Sequence, residues 1–308
     1  MNAPSISRFA PSPTGRLHLG HAFSALCAHD LARAKGGRFL LRIEDIDPTR
    51  CRPEHVAGIL EDLRWLGLGW DGEVVFQSER LPLYAAALDR LKAMGLVYPC
   101  FCTRTRIAAE IAASAAAPHG PDGPLYPGIC RDLGEDERAA RIAAGEPHAW
   151  RLDIARADAL AGPLGWHDGV AGEVAATPEV HGDVVLARKD APTSYHLAVT
   201  VDDAAQGVTD VVRGEDLFAA THVHRLLQAL LGLPVPRYHH HPLLTDEKGE
   251  RLAKRAGSPT LASMRAEGAD AAMLVKKLRA RSPSLSREGV RGGWRAVASL
   301  ARSSRRTP

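Results

Sequence analysis

The sequence predicts an α/β fold, a parallel-sheet core interrupted in its middle by an insertion of different character and closed by a short helical C-terminal region. Three observations predict it. Short β-like runs alternate with helical patterns through residues 1–97, as a parallel sheet with crossover helices requires. From residue 98 to 182 the chain turns Ala/Gly/Pro-rich, carries paired cysteines and loses that alternation. The alternation then resumes over residues 183–255, leaving residues 256–308 as a short C-terminal region with a basic tail.

Each element follows from local pattern. Residues 7–10 form a short strand candidate, and residues 19–34 show the helical spacing Leu19, Phe23, Leu26, Leu31 with small residues between. Residues 38–43 (RFLLRI) read as the next buried strand, which completes a Rossmann-like strand–helix–strand unit. Helices are predicted over residues 53–66, where Pro53 opens the first turn, and over residues 81–94. In the second half, residues 183–188, 195–201 and 208–212 read as strands. Residues 219–231 read as an apolar helix ended by Gly232 and Pro234.

Composition narrows the function classes. With 308 residues, 45% of them hydrophobic, the chain can bury a substantial core. It has no apolar run long enough to span a membrane and no basic-then-apolar leader, so it is expected to be cytoplasmic and without a membrane partner; a monomer is expected. Five cysteines do not make a disulfide framework in a chain of this size; clustered ones read better as metal ligands. The net charge of +3 is uneven, because residues 276–308 hold ten Lys/Arg against Glu288 alone and the rest carries 29 basic and 35 acidic side chains. That stretch reads first as a poorly ordered tail, and more sharply as a contribution to nucleic-acid backbone binding.

The segment from Arg8 to His21 (RFAPSPTGRLHLGH) joins a predicted strand to a predicted helix through a loop rich in Pro, Ser, Thr and Gly. Such a junction aims backbone N–H groups and the positive end of a helix dipole at an anion, which suits a triphosphate. His18 and His21 fall three apart on one helical face, and Gly20 lets a nucleotide approach the backbone. Cys100 and Cys102 lie in an extended context where alternate residues face the same way, and Cys130 follows in Tyr126-Pro-Gly-Ile-Cys130. Three sulfurs and a fourth ligand make a structural zinc site, one ion per chain. His239, His240 and His241 are consecutive on an extended chain, and His222 and His224 are two apart on a helix, so neither cluster is assigned to metal.

Residues 8–22 resemble the N-terminal signature of the class I glutamyl and glutaminyl tRNA synthetases. His18-Leu-Gly-His21 is similar to that family's HIGH motif, whose histidines contact ATP and stabilise the transition state at its α-phosphate. The segment from Glu250 to Arg255 (ERLAKR) resembles its KMSKS loop, with Lys254 in the place of the lysine that neutralises departing pyrophosphate. Arg251 and Ala253 depart from the usual Lys and Ser, so charge is kept while a planar fork replaces a compact ammonium. The resemblance implies ATP, with Mg²⁺, as substrate, bound through His18, Gly20, His21, Arg251 and Lys254. It implies a glutamate pocket of Arg8, Ala10, Ser12, Glu44, Tyr195 and Arg213. Guanidinium forks suit the carboxylates there, and Glu44 can take the ammonium. Tyr195 is the weakest member of the set, since a tyrosine within a strand is often only core.

The cysteine arrangement is similar to the zinc-binding insertion of the shortened paralogues in that family, the glutamyl-Q tRNA(Asp) synthetases. There Cys100, Cys102, Tyr126 and Cys130 correspond to the ligands, with His119 or solvent as alternatives to Tyr126. Only 53 residues follow Arg255, too few for a large anticodon-binding domain, which points to the same branch. The resemblance implies activation of glutamate without tRNA and transfer to queuosine at the wobble position of tRNA(Asp). The alternatives are a shortened discriminating glutamyl-tRNA synthetase and a non-catalytic tRNA-binding paralogue.

Overall fold

The structure, a computed structural model, describes residues 4–113, 119–121, 123–245 and 259–281. Arg251, Lys254 and the tail after residue 281 lie outside the described residues. The chain opens with β1 (Ile6–Phe9), α1 (Leu19–Ala34), β2 (Arg38–Ile43), α2 (Pro53–Trp65), β3 (Val75–Phe76) and α3 (Leu81–Ala93). β1, β2 and β3 are parallel, with Ile6 opposite Arg38 and Arg42 opposite Val75. The bounds of α1 and β2 are those the sequence predicts. α1 buries Ala22, Phe23, Ala25, Leu26 and Ala28, and its packing face forms the central apolar cluster with Phe39, Leu41 and Ile43 of β2.

The middle of the chain contains β4 (Val97–Cys100), α4 (Arg104–Ala113), β5 (His119–Gly120), β6 (Gly123–Pro124), α5 (Glu135–Ala143), β7 (Ala149–Leu152), α6 (Ile154–Ala161), β8 (Gly165–Asp168) and β9 (Gly172–Ala175). Then follow β10 (Val185–Ala187), α7 (Tyr195–Ala205), β11 (Asp210–Gly214), α8 (Ala220–Leu231), β12 (Arg237–His241), α9 (Leu261–Ala266) and α10 (Ala271–Ala280). β11 runs parallel to β12, and Thr209 N–H donates to Ile6 O at 2.9 Å, which joins this half of the core to β1. The hairpin β8–β9 from the middle segment adds to the same sheet, Asp168 opposite Tyr238 of β12.

Two expectations are corrected. Residues 195–201 are not a strand but the first turns of α7. The run Val199-Thr200-Val201 favours a strand locally, yet this helix is packed between α3, α8 and β10 and buries Leu197, Ala198, Val199, Thr200, Asp202 and Asp203. Burial around most of the circumference erases the helical stripe that sequence patterning relies on. Residues 183–188 shorten to β10, which pairs antiparallel with β7 in the sheet β10-β7-β4 instead of extending the parallel core.

The C-terminal helices return to the start of the chain. Thr260 caps α9 and bridges His18, Leu261 N–H donates to Leu17 O at 2.8 Å, and Arg279 of α10 forms a bidentate pair with Asp30 at 2.7 and 2.8 Å. Among the described residues no helix is long and apolar enough to cross a membrane.

Candidate active site

A cleft of about 460 Å³ opens where β1, α1, α7 and β11 meet. Its wall includes Arg8, Ala10, Ser12, Glu44, Tyr195 and Arg213, and also His18, Gly20 and His21. Every site residue predicted for glutamate or nucleotide that lies among the described residues therefore faces one cavity.

At the nucleotide end, His18 is the N-cap of α1, not a member of its face. Its Nδ1 accepts from Gly20 N–H at 3.1 Å, and its own N–H donates to His21 Nδ1 at 3.3 Å, a reciprocal capping box. The rings sit 3.8 Å apart. A Cβ at Gly20 would stand 3.0 Å from the His18 ring, so any larger residue there would push that ring by a few tenths of an ångström. Burial lowers the pKa of His18, and burial together with His18 holds His21 at about 4, so both rings are neutral near pH 7.

At the other end the charges divide unevenly. Arg8 is spent on Asp203, at 2.9 and 3.2 Å, and Arg42 reaches the same carboxylate at 2.9 Å and Glu44 at 3.4 Å. Asp202, one residue earlier, takes Arg80 at 2.7 Å and the hydroxyl of Tyr84. Burial raises the pKa of Asp203, but Arg8 and Arg42 outweigh it and hold the carboxylate below its usual range; Glu44, similarly buried but bonded only by Arg42 at 3.4 Å, is shifted upward by burial despite Arg42 and Arg8. Arg213 is 5% exposed and is held only by neutral groups: Nε donates to His240 Nε2 at 3.1 Å, one terminal nitrogen to Tyr195 Oη and His224 Nδ1 at 3.2 Å each, and the other to Thr221 Oγ1 at 2.6 Å. Among the described residues no carboxylate pairs with it.

Residues 6–289 match the family of class I tRNA synthetases for E and Q, in its catalytic domain. The chain belongs to that family. It is a ligase of the class I synthetase type, and its family, the one for E and Q, uses ATP, glutamate or glutamine, and a tRNA. It is 56% identical over 279 residues to a glutamyl-Q tRNA(Asp) synthetase of Rhodobacter capsulatus, covering 87% of this chain and 97% of that protein. It is 50% identical to one of Nocardia farcinica, covering 87% and 82%. Among solved structures, a glutamate tRNA ligase of Elizabethkingia meningosepticum in complex with its amino acid superposes with a TM-score of 0.69 at 27% identity, covering 86% of this chain and 53% of the ligase. The chain thus spans about half the length of that solved ligase.

The synthetase's second candidate centre lies in its middle segment. Cys100, Cys102 and Cys130 are buried with their sulfurs all within 4.8 Å of one another, and Cys102 and Cys130 Sγ are 3.4 Å apart. The Tyr126 hydroxyl stands 3.4 Å from Cys100 Sγ and 3.6 Å from Cys102 Sγ. Tetrahedral zinc with bonds of about 2.3 Å spaces its sulfurs by roughly 3.8 Å, so the donor set fits such an ion. Burial pushes the Cys102 thiol up to about 11, and three packed sulfurs need a cation before all can ionise. The side chain of His119 is outside the described residues.

Sequence reasoning missed Ser24, Asp203, Asp216 and His241. Ser24 continues the three-residue spacing of His18 and His21 into the cleft, and its Oγ lies 2.6 Å from His241 Nε2. Asp203 was hidden by the strand reading of its segment. Asp216 and His241 also line the synthetase cleft; His241 belongs to the His239–His241 run that was weighed only as a metal cluster and set aside, and Asp216 was given no role.

Proposed function

We propose that this synthetase activates glutamate with ATP in the absence of tRNA and transfers it to queuosine at the wobble position of tRNA(Asp). The observation that carries the amino-acid assignment is Arg213: a buried guanidinium in the cleft wall, hydrogen-bonded to neutral groups and lacking a carboxylate partner among the described residues. An acidic substrate supplies the missing anion, and the fork geometry suits a carboxylate. Glu44, whose raised pKa reflects too little positive charge for its burial, gains a counter-ion when the substrate ammonium arrives. The names of the Rhodobacter and Nocardia relatives support the acceptor.

In the first step a glutamate carboxylate oxygen attacks the α-phosphorus of ATP, and the bond to pyrophosphate breaks. In the second a queuosine hydroxyl attacks the acyl carbon, loses its proton, and AMP leaves. Neutral His18 and His21 at the helix N-terminus donate hydrogen bonds to phosphate oxygens as charge builds there. Lys254, with Arg251 nearby, is assigned to pyrophosphate; it lies six residues before Thr260, which bridges His18. Residues 98–182 are assigned to acceptor binding. Cys100, Cys102, Tyr126 and Cys130 hold one structural zinc, which cross-links the segment and takes no part in the chemistry.

The test is ATP–pyrophosphate exchange without tRNA, expected with glutamate; exchange with no amino acid overturns the reading, and preference for glutamine reassigns the pocket. Labelled glutamate is then offered to tRNA(Asp) from queuosine-producing and queuosine-deficient cells. Label on the first alone, mapped to the anticodon loop, is expected; equal labelling, or label on the terminal adenosine, overturns the acceptor. Metal analysis of the purified protein is expected to show about one zinc per chain, lost in Cys130→Ser.

A further inference from the structure

We propose that Asp168, on the β8–β9 hairpin of the middle segment, is a positioning residue for the amino-acid end of the cleft: it fixes the tautomer of His240, and His240 orients Arg213. The proposal deepens the glutamate reading and rests on it. Three neighbouring strands present these side chains in a row, since Arg213 of β11 lies opposite His240 of β12 and β12 pairs with β8 at Asp168.

The proton assignment follows from donor chemistry. Asp168 is 1% exposed and uses both oxygens as acceptors: Oδ1 takes Val170 N–H and Ala171 N–H at 2.9 Å each, and Oδ2 takes His240 N–H at 3.2 Å and His240 Nδ1 at 2.8 Å. A carboxylate cannot donate, so Nδ1 carries the hydrogen and Nε2 presents its lone pair. That lone pair meets Arg213 Nε–H at 3.1 Å. Thr221, which accepts from Arg213 at 2.6 Å, can turn its own hydrogen toward the same Nε2 at 3.3 Å. Trp166 and Phe218 cover the imidazole, with ring centroids at 5.8 and 5.0 Å. Burial keeps the His240 pKa at about 4, so the ring is neutral and its lone pair is present at pH 7.

Asp168→Asn breaks this relay without changing shape. Its single oxygen is retained by the two loop N–H groups, so its amide nitrogen faces His240 Nδ1. The imidazole must then shift its proton to Nε2, and two N–H groups confront each other at Arg213. Loss of such a buried acceptor is expected to raise the KM for glutamate about tenfold or more while the KM for ATP stays within about twofold.

The experiment measures both KM values by pyrophosphate exchange in wild type, Asp168→Asn, His240→Leu and His240→Gln, and reads the His240 tautomer by ¹⁵N NMR in wild type and Asp168→Asn. Expected are an Nδ1–H tautomer in wild type, an Nε2–H tautomer in Asp168→Asn, a glutamate-specific rise in Asp168→Asn and His240→Leu, and rescue to within about threefold in His240→Gln, whose amide oxygen replaces the Nε2 lone pair. Equal rises in both KM values, an unaltered glutamate KM, or an unaltered tautomer overturns the proposal. Should Asp168→Asn fail to fold, the two His240 variants decide. Should wild type give no exchange, the functional reading falls, and the tautomer comparison still decides the link from Asp168 to His240.

Discussion

Arg8 and Arg213 face the same cleft from adjoining strands, and both are almost fully buried, at 4% and 5% exposure, yet they are held in opposite ways. Around Arg8 the charges interlock: Asp203 takes Arg8 and Arg42, Asp202 takes Arg80, and Arg42 reaches on to Glu44, which alone of the three carboxylates is left short of positive charge. Around Arg213 the partners are His240, His224, Tyr195 and Thr221, all neutral. A buried pair that loses one member leaves an uncompensated charge, so matched charges fasten β1, β2 and α7 together. An unmatched cation is tolerated when neutral acceptors surround it, and its remaining electrostatic demand is met by an arriving anion. On the function proposed above, one end of the cleft is frame and the other is receptor, although both consist of arginine.

The largest test of that division is a pair of substitutions. Arg213→Met is expected to lower kcat/KM for glutamate-dependent exchange by about 10²- to 10³-fold, the scale for truncating one member of a buried charge pair. Its urea midpoint is expected to move little, because no counter-ion is abandoned. Arg8→Met leaves Asp203 to Arg42 alone and is expected to cost about 3 kcal/mol of folding stability. Urea titrations and exchange assays on both proteins make the comparison. If Arg213→Met is the unstable one and Arg8→Met the stable one, the roles are reversed.

Acid sharpens the same contrast. His21, His222 and His240 are held at about 4, chiefly by burial, and His224 lies well below its ordinary value through burial and Arg213. Their unfolded values are about 6.5, so between pH 6.5 and 4 the unfolded chain binds more protons than the folded one. The stability they contribute is complete above about pH 6.5 and falls as pH drops, by roughly 1.4 kcal/mol per pH unit for each histidine. Asp203 is shifted downward by Arg8 and Arg42 and stays ionised through this window. Urea midpoints at about pH 7.5 and 5 are thus expected to differ sharply; equal midpoints contradict neutral, buried imidazoles.

How much of this was legible in the sequence depends on how local the determinant is. The bounds of α1 and β2 follow from spacing and length, and the nucleotide loop from its Pro, Ser, Thr and Gly between strand and helix. Arg8, Glu44 and Arg213 were named by residue type together with the family resemblance, and all face the cleft. The relay from Asp168 to His240 could not be read, because 72 residues separate the partners and only the β12–β8 pairing brings them together. α7 failed for another reason: its buried circumference shows no stripe, and β-branched residues suggested a strand. That error also hid the split of Asp202 and Asp203, which leave the helix toward different arginines, Arg80 for the first and Arg8 for the second.

Tyr195 gives the smallest expected effect and the finest test, because the strand reading made it the weakest candidate. At the first position of α7 its hydroxyl accepts from Arg213 at 3.2 Å, while its ring lies against His196 and His224 at 5.7 and 5.5 Å. Burial raises its pKa above the usual phenol value although Arg213 opposes this, so the hydroxyl keeps its proton and can offer it toward the cleft. Tyr195→Phe preserves the ring contacts and removes that oxygen alone. The donating nitrogen of Arg213 retains His224 Nδ1 as acceptor, so the loss is one of two hydrogen bonds. A cost of about 1 kcal/mol corresponds to a roughly fivefold rise in the KM for glutamate, with kcat and the urea midpoint close to wild type. A shift of the midpoint with unaltered KM instead makes Tyr195 a packing residue and moves it from the receptor end of the cleft to the frame.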